Sequence, residues 1–257
     1  METASVLVIG NEVLTGKVEE ANARFLVAAL RREGVRLDRI AFVRDEVQAI
    51  AEEVRRMSAL TTHVFTTGGV GGTHDDVTLP AVARAFDVPL ERHAQLLGML
   101  EAYFGDRITE AHRRMADLPS GSELLFGPES QVPVVRTRNV FVLPGAPKYL
   151  RIEFRVLRRH LSGSPIWLGE LFARVPEEAI ARTLTEAEAE DAEVEVGSYP
   201  CFEPELAHRV KVTVEGTDRT RVEAVFERLR GRIEEVLVDR TAPRQVGGPG
   251  LEAESPA

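Results

Sequence analysis

The stretch that decides the fold is a glycine-rich loop between an apolar strand and a helix. It reads Thr66-Thr67-Gly68-Gly69-Val70-Gly71-Gly72-Thr73-His74-Asp75-Asp76-Val77-Thr78. The apolar residues 63–65 before it predict a buried strand. Residues 79–86 after it predict a helix, with Thr78 as its N-cap and Pro80 in its first turn. Glycines at such a junction leave main-chain N–H groups open at a helix N-terminus, which indicates an anion site.

Two adjacent carboxylates, Asp75 and Asp76, close this loop. They would repel a phosphate unless a cation lay between them, so the simplest interpretation is phosphate with a divalent metal. Mg²⁺ is the first choice, with Mn²⁺, Co²⁺ and Ni²⁺ as alternatives. The loop is not a P-loop, because no Gly-Lys-Ser/Thr follows, and its glycine spacing differs from the dinucleotide fingerprint. The alternative interpretation is a tight turn with solvated aspartates.

Three strand–helix repeats precede and include this loop, which predicts a parallel sheet with helices on both faces. Ligands bind beyond the carboxyl ends of the strands in such sheets. Glu12, Asp45 and Asp76 each follow a different predicted strand at that end. Each acid alone fits a solvated loop or a cap. Together with the glycine loop, the three acids predict a catalytic site, in which Asp45, Asp75 and Asp76 are the candidate metal ligands.

A second turn, Pro144-Gly145-Ala146-Pro147, follows the apolar residues 140–143 and leads into a predicted helix over 148–161. It could bring main-chain donors and the Lys148 ammonium to the same crevice. The alternative is an ordinary turn with a solvated lysine. Residues 91–118 are partly polar with a helical pattern, and we expect them to form an excursion over the site.

Residues 162–165 form a plausible linker, after which the hydrophobic period changes. Strands are predicted at 166–175, 194–199 and 210–214, and helices at 177–188 and 222–236. The predicted architecture is therefore a three-layer α/β domain with a mostly parallel sheet over residues 1–163, followed by a small α+β domain over 164–240. The Pro- and Gly-rich residues 241–257 predict a flexible tail.

The composition restricts the class of protein. The chain has 257 residues, with 41 acidic and 32 basic side chains and a net charge of -9, which argues against nonspecific binding to nucleic acid or to an anionic membrane. No apolar run approaches the roughly 20 residues of a membrane span. The first residues lack the basic segment of a signal peptide and predict a first strand instead. The single Cys201 excludes an internal disulfide. We therefore expect a cytoplasmic protein.

Four motifs in order resemble the molybdopterin-binding (MogA/MoaB-like) domain family. They are residues 10–16, 44–46, 67–78 and 143–147. The ending Thr73-His74-Asp75-Asp76-Val77-Thr78 is similar to the CinA branch and to the matching domain of eukaryotic FAD synthase, although the usual loop has Pro where Gly72 stands. Residues 196–200 resemble the small second domain of the same branch.

The resemblance implies roles for particular residues. Asp45 and Asp76 would support metal-dependent nucleotide chemistry, and the two loops would hold phosphates and the pterin, so molybdopterin is a further possible ligand. The implied phosphate-binding residues are Thr67, Gly68, Gly69, Gly71, Gly72, Thr73, His74, Thr78, Pro144, Gly145 and Lys148. The resemblance also implies a homo-oligomer, either a dimer or a trimer.

Three functions follow as hypotheses. The favoured one is a metal-dependent nucleotide pyrophosphohydrolase acting on a diphosphate such as ADP-ribose or FAD, with Glu12, Asp45 and Asp76 holding metal and positioning water. The second is molybdopterin adenylyl transfer in the same site. The third is a pterin- or nucleotide-binding module without catalytic activity.

Overall fold

The computed structural model describes residues 1–73, 75–127, 132–203, 205–249 and 251. The chain forms two compact units. The first comprises Met1–Arg31 and Val35–Ser162, and the second comprises Arg32–Gly34 together with the described chain from Gly163 onward. Arg32–Gly34 belongs to the second unit because the Ser164 N–H donates to the Gly34 carbonyl (3.0 Å).

The first unit is built on a sheet of six strands and a separate two-stranded ribbon. The strands of this unit are β1 (Thr3–Ile9), β2 (Arg36–Val43), β3 (His63–Thr67), β4 (Leu90–Arg92), β5 (Asp117–Pro119), β6 (Glu123–Leu125), β7 (Val134–Thr137) and β8 (Val140–Leu143). The large sheet has the order β2-β1-β3-β8-β7-β6. Its first four strands are mutually parallel. β7 then pairs antiparallel with β8, and β6 pairs antiparallel with β7.

Helices cover both faces of this sheet. They are α1 (Asn11–Leu14), α2 (Asn22–Arg32), α3 (Val47–Leu60), α4 (Thr78–Ala85), α5 (Ala94–Phe104), α6 (Glu110–Arg114) and α7 (Pro147–Leu157). One buried cluster contains Val54 of α3 and Val82 of α4, and the cluster on the other face contains Leu26 of α2 and Leu150 of α7. The predicted three-layer fold is thereby confirmed.

Burial explains the hydrophobic pattern of the strands. Every residue of β3 is buried, and so is every residue of β1 after Thr3, because both strands lie inside the sheet with helices on both faces. β2 alternates between exposed and half-buried side chains because it is an edge strand. The interior strands therefore read as unbroken apolar runs, whereas the edge strand carries Arg and Asp.

The excursion over residues 91–118 is only partly helical. It contains α5, a 3₁₀ turn at Gly105–Arg107 and α6, but its two ends pair as the antiparallel ribbon β4–β5. The Ala111 carbonyl of α6 lies over the glycine loop, since a Cβ added to Gly72 would be 3.0 Å from that oxygen. The excursion thus packs against the loop, as the sequence led us to expect.

The second unit is a four-stranded antiparallel sheet with two helices. Its elements are β9 (Ile166–Ala173), α8 (Ala181–Ala189), β10 (Val194–Pro200), β11 (Val210–Gly216), α9 (Arg219–Arg232) and β12 (Leu237–Gly247). The strand order is β10-β11-β9-β12. Both helices contribute to its core, in which Leu184, Val212 and Phe226 are buried together.

The predicted flexible tail from residue 241 is wrong for its first part. β12 continues to Gly247 and pairs with β9 along the way. The Pro- and Gly-rich composition predicted a tail here, but β12 is an edge strand and its register shifts between Thr241 and Arg244, so Pro243 need not donate a ladder hydrogen bond. Residues 250 and 252–257 of the predicted tail lie outside the described residues. In the described part of the chain, no helix combines the length and apolarity required to traverse a bilayer.

Candidate functional site

Four loops meet at the carboxyl end of the parallel strands. They follow β1, β2, β3 and β8, whose ends lie at one edge of the sheet because the four strands are parallel. Main-chain hydrogen bonds join the loops in pairs. The Gly10 N–H donates to the Val43 carbonyl (3.2 Å), and the Gly68 N–H donates to the Leu143 carbonyl (3.3 Å).

Gly68 is the point where three of these strand ends touch. Its φ is +101°, and a Cβ at this position would lie 2.0 Å from the carbonyl oxygen of Ile9. On its other side, a Cβ added to Gly145 would lie 3.3 Å from the Gly68 Cα. Only glycine permits this approach, so the sequence of the loop is dictated by close packing of main chain.

Asp45 is held between the first loop and the glycine loop. Its Oδ2 accepts a hydrogen bond from the Asn11 N–H (2.8 Å). A Cβ added to Gly69 would lie 3.7 Å from Asp45 Oδ1 and 2.6 Å from Thr78 Oγ1. The structure therefore places this half-buried carboxylate beside the first half of the glycine loop.

Asp76 is turned back into the second half of the same loop. Its Oδ2 accepts a hydrogen bond from the Thr73 N–H (2.8 Å) and lies 2.5 Å from the position of a Cβ on Gly71. The Thr73 hydroxyl contacts both Asp76 and the Oδ1 of Asp75, at 2.6 Å from the latter. Asp75 is exposed, whereas Asp76 is half-buried.

The other predicted residues lie around the glycine loop or outside the described residues. Glu12 is an exposed residue of α1, and its carboxylate lies against Gly10. Pro144 is half-buried, and Lys148 is exposed in the first turn of α7. His74, a predicted phosphate contact, lies outside the described residues.

Two threonines of the predicted phosphate-binding set are buried. The Thr67 hydroxyl donates to the Pro144 carbonyl (2.9 Å), and the Thr78 hydroxyl donates to the Gly68 carbonyl (2.7 Å). Thr78 was predicted to be an N-cap, but it is the first residue of α4, Val77 precedes it as the cap residue, and no side chain caps the helix. The prediction failed because the helix begins one residue earlier than expected, so Thr78 lies within it and its hydroxyl donates to the loop instead of accepting from a helix N–H. Both threonines therefore support the loops through hydrogen bonds to main-chain carbonyls.

Asn22 belongs to the site and was not identified from the sequence. Its Nδ2 donates to Thr67 Oγ1 (2.9 Å) and to the Gly145 carbonyl (2.7 Å), so it joins the loops after β3 and β8. The position of Asn22 in the apolar period of its helix could have identified it. Asn22 shares a helical face with Leu26 and Leu30, which are buried, so the apolar period places this amide inside the protein.

The donor set bears on the predicted metal. Among the described residues, no group of three or more His, Cys, Asp or Glu side chains is placed to hold a metal ion. Mg²⁺ is often bound by one or two carboxylates, with substrate phosphates and waters as its remaining ligands. Asp45 and Asp76, one beside each half of the glycine loop, fit such an incomplete set of oxygen ligands.

Both units match known families. Residues 5–162 match the family described as "Probable molybdopterin binding domain", and residues 165–241 match the family described as "FAD synthase, middle domain". A "Probable FAD synthase" of Caenorhabditis elegans is 31% identical over 257 residues, which cover 89% of this chain and 49% of that protein. A "CinA-like protein" of Syntrophus aciditrophicus is 32% identical over 238 residues, which cover 86% of this chain and 56% of that protein. The chain thus spans about half the length of these relatives.

A solved structure shares the fold of part of the chain. The crystal structure of the protein CinA of unknown function from Thermoplasma acidophilum superposes with a TM-score of 0.58 at 26% identity. The match covers 62% of this chain and 97% of that chain. The chain therefore belongs to the molybdopterin-binding domain family and is a CinA-like member of it, with a FAD synthase middle-domain region in its second unit.

Proposed function

We propose that the chain is a divalent-metal-dependent nucleotide pyrophosphohydrolase that cleaves a diphosphate such as ADP-ribose or FAD. The observation that carries the proposal is the glycine loop, with Asp45 beside Gly69 and Asp76 beside Gly71. Glycines allow the main chain of the loop to approach a phosphate, and the flanking carboxylates supply ligands for the cation that the phosphate needs. The FAD synthase relatives and the match to the FAD synthase middle domain support a flavin dinucleotide as one substrate to test.

In this proposal each residue has a distinct task. Main-chain N–H groups of the glycine loop bind one phosphate. Asp45 and Asp76, with the adjacent Asp75, hold the metal, which when bound neutralises phosphate charge and lowers the pKa of a coordinated water. Glu12 orients the attacking water and accepts its proton. Lys148 offers a positive charge to the departing phosphate. We further propose a cytoplasmic homo-oligomer, dimer or trimer, that binds no nucleic acid.

One alternative function has specific support. The first unit matches a molybdopterin-binding family, so in this alternative the pterin phosphate attacks ATP, accepts its adenylyl group and displaces pyrophosphate. The same loops would serve, because positioning and charge neutralisation contribute most to such a transfer. A pterin- or nucleotide-binding module without turnover is the remaining possibility, and Asp45 and Asp76 would then serve binding alone.

The test is turnover of ADP-ribose, FAD, NADH and ATP by the full chain. Each compound is incubated with and without Mg²⁺, Mn²⁺, Co²⁺ or Ni²⁺, and products are identified by mass spectrometry. Metal-dependent release of AMP from a dinucleotide or nucleotide sugar supports the hydrolase. Complementation of a strain lacking molybdopterin adenylyltransferase would favour the transferase instead. Ligand binding without product under every metal would leave the binding module.

A further inference from the structure

Asn22 lies where the two predicted phosphate-binding loops cross. Both hydrogens of its amide are used, one to Thr67 Oγ1 and one to the Gly145 carbonyl. Thr67 directly precedes Gly68, and Gly145 packs against the Gly68 Cα. The Thr67 hydroxyl donates in turn to the Pro144 carbonyl. One side chain thus sets the position of the β3 loop relative to the β8 loop.

The amide can take only one orientation. The Gly145 carbonyl oxygen can only accept, so the nitrogen of Asn22 must face it, and Oδ1 is on the other side of the amide. Asn22 is only 7% exposed, and none of the residues that the structure describes offers its Oδ1 a hydrogen bond. Leaving a buried acceptor unpaired is unfavourable and rare in folded proteins. An unfavourable group of this kind at the junction of two loops points to a role beyond stability.

The backbone of Asn22 is itself held in place. Asn22 is the first residue of α2, and the N–H of the next residue, Ala23, donates to Glu20 Oε1 (2.7 Å). Leu26 and Leu30 anchor the helix in the core with no exposed surface. A short side chain on an anchored helix has few rotamers. Its two hydrogen bonds therefore fix the separation between the loop after β3 and the loop after β8.

We propose that Asn22 is a positioning residue, which keeps the glycine loop and the Pro144–Gly145 turn at the separation needed to bind the diphosphate. The inference rests on the function proposed above for that site. Asn22 does not touch the reacting atoms in this proposal and acts through Gly68 and Gly145. Displacing a binding group by about 1 Å is enough to reduce turnover strongly.

The chain contains a matched control in Asn139. Its Nδ2 likewise donates two hydrogen bonds, here to the carbonyls of Ser58 and Thr61 (3.0 Å each), but Asn139 precedes β8 at the opposite end of the sheet. Asn22→Asp and Asn139→Asp each replace a double donor by an acceptor. The two variants and the wild-type chain are compared by amide hydrogen exchange without ligand, and by kcat and KM for the best substrate.

The expected result for Asn22→Asp is exchange at least tenfold faster at the Gly68 and Thr78 N–H groups, with other sheet amides unchanged, and kcat lowered about tenfold. Asn139→Asp should leave those two amides and kcat unchanged. Equal acceleration of all amides, unchanged loop amides, or equal kcat in the two variants would overturn the inference. If Asn22→Asp does not fold, Thr67→Val takes its place, because it removes the hydroxyl that accepts from Asn22 and donates to the Pro144 carbonyl. If the wild-type chain shows no turnover, the proposed function fails, and the exchange data alone decide whether Asn22 couples the loops.

Discussion

The two ends of the parallel sheet differ in how their polar groups are satisfied. At the amino end, the Thr61 hydroxyl contacts Ser5 Oγ (3.1 Å), the Met57 carbonyl (3.0 Å) and the His63 carbonyl (3.1 Å). Asn139 uses its amide nitrogen and its oxygen. At the carboxyl end, glycine loops carry exposed or half-buried acids, and Asn22 Oδ1 accepts no hydrogen bond from the described part of the chain. This contrast fits the proposal above, in which polar side chains at the amino end serve stability and those at the carboxyl end serve binding.

The largest expected effect sharpens this contrast, because Gly68→Ala tests the close main-chain packing of the carboxyl end apart from its polar side chains. The new methyl group would meet the Ile9 carbonyl in a left-handed backbone conformation, so we expect the free energy of unfolding to fall by about 3 kcal/mol. Gly98→Ala in α5 is the control. Its Cβ would meet nothing within 4 Å, and helix propensity predicts a gain of about 1 kcal/mol. Chemical denaturation measures both. A loss of similar size in the two variants would refute the special role of Gly68.

Asp76→Asn should separate binding from folding at the carboxyl end. The amide oxygen can still accept the Thr73 N–H, whereas the charge that would hold a metal is lost. We expect metal-dependent turnover to fall by about 100-fold or more, with an unchanged melting temperature. Steady-state kinetics over a metal titration measure the effect. Full activity in this variant would show that the site is assigned incorrectly.

Glu153 lies in α7, the helix that follows the Pro144–Gly145 turn, and it predicts that stability depends on pH. Burial raises the pKa of Glu153 to about 8 from 4.5. The folded state keeps this proton up to about pH 8, whereas the unfolded chain releases it above about pH 4.5, so stability falls as the pH rises through that window. Glu153→Gln should therefore stabilise the protein by a few kcal/mol at pH 8 and little at pH 4.5.

Urea unfolding at both pH values measures the effect, and the exposed Glu91 supplies a control, Glu91→Gln. We expect the control to change stability by the same small amount at the two pH values. An equal gain for Glu153→Gln at pH 4.5 and pH 8 would contradict the raised pKa.

The smallest expected effect is at the amino end. Thr61→Val removes a buried hydroxyl that contacts Ser5 and two carbonyls, and we expect a loss of about 1 kcal/mol in unfolding free energy. Turnover at temperatures well below the melting transition should equal that of the wild-type chain. Lower turnover would mean that the two ends of the sheet are coupled after all.

Several strands and the glycine loop could be predicted from local patterns in the sequence. Continuous apolar runs identified β1 and β3, because both strands are buried on both faces, and the alternation Val210, Val212, Val214 identified β11, whose inward residues are buried. The glycine loop was recognisable because four glycines and two acids between a strand and a helix have few structural explanations. The convergence of Asp45 on this loop followed from strand direction alone.

Other features depend on partners far away in the sequence. Thr78 looked like a helix cap, but its hydroxyl binds the Gly68 carbonyl ten residues earlier. Pro243 looked like the start of a tail, and only the position of β12 at a sheet edge makes it tolerable. Asn22 is separated by 45 residues from Thr67 and by 123 residues from Gly145. No local window contains such pairs.

The sequence by itself therefore determined the layers of the first unit, the parallel strand ends and the glycine loop with its two acids, because hydrophobic period and glycine content are local properties. The tertiary structure decided which polar groups support the loop, which acids contact it, and where the second sheet ends. Those outcomes depend on hydrogen bonds and close contacts between segments that are distant in the chain, and burial makes each such contact strong enough to override local preference.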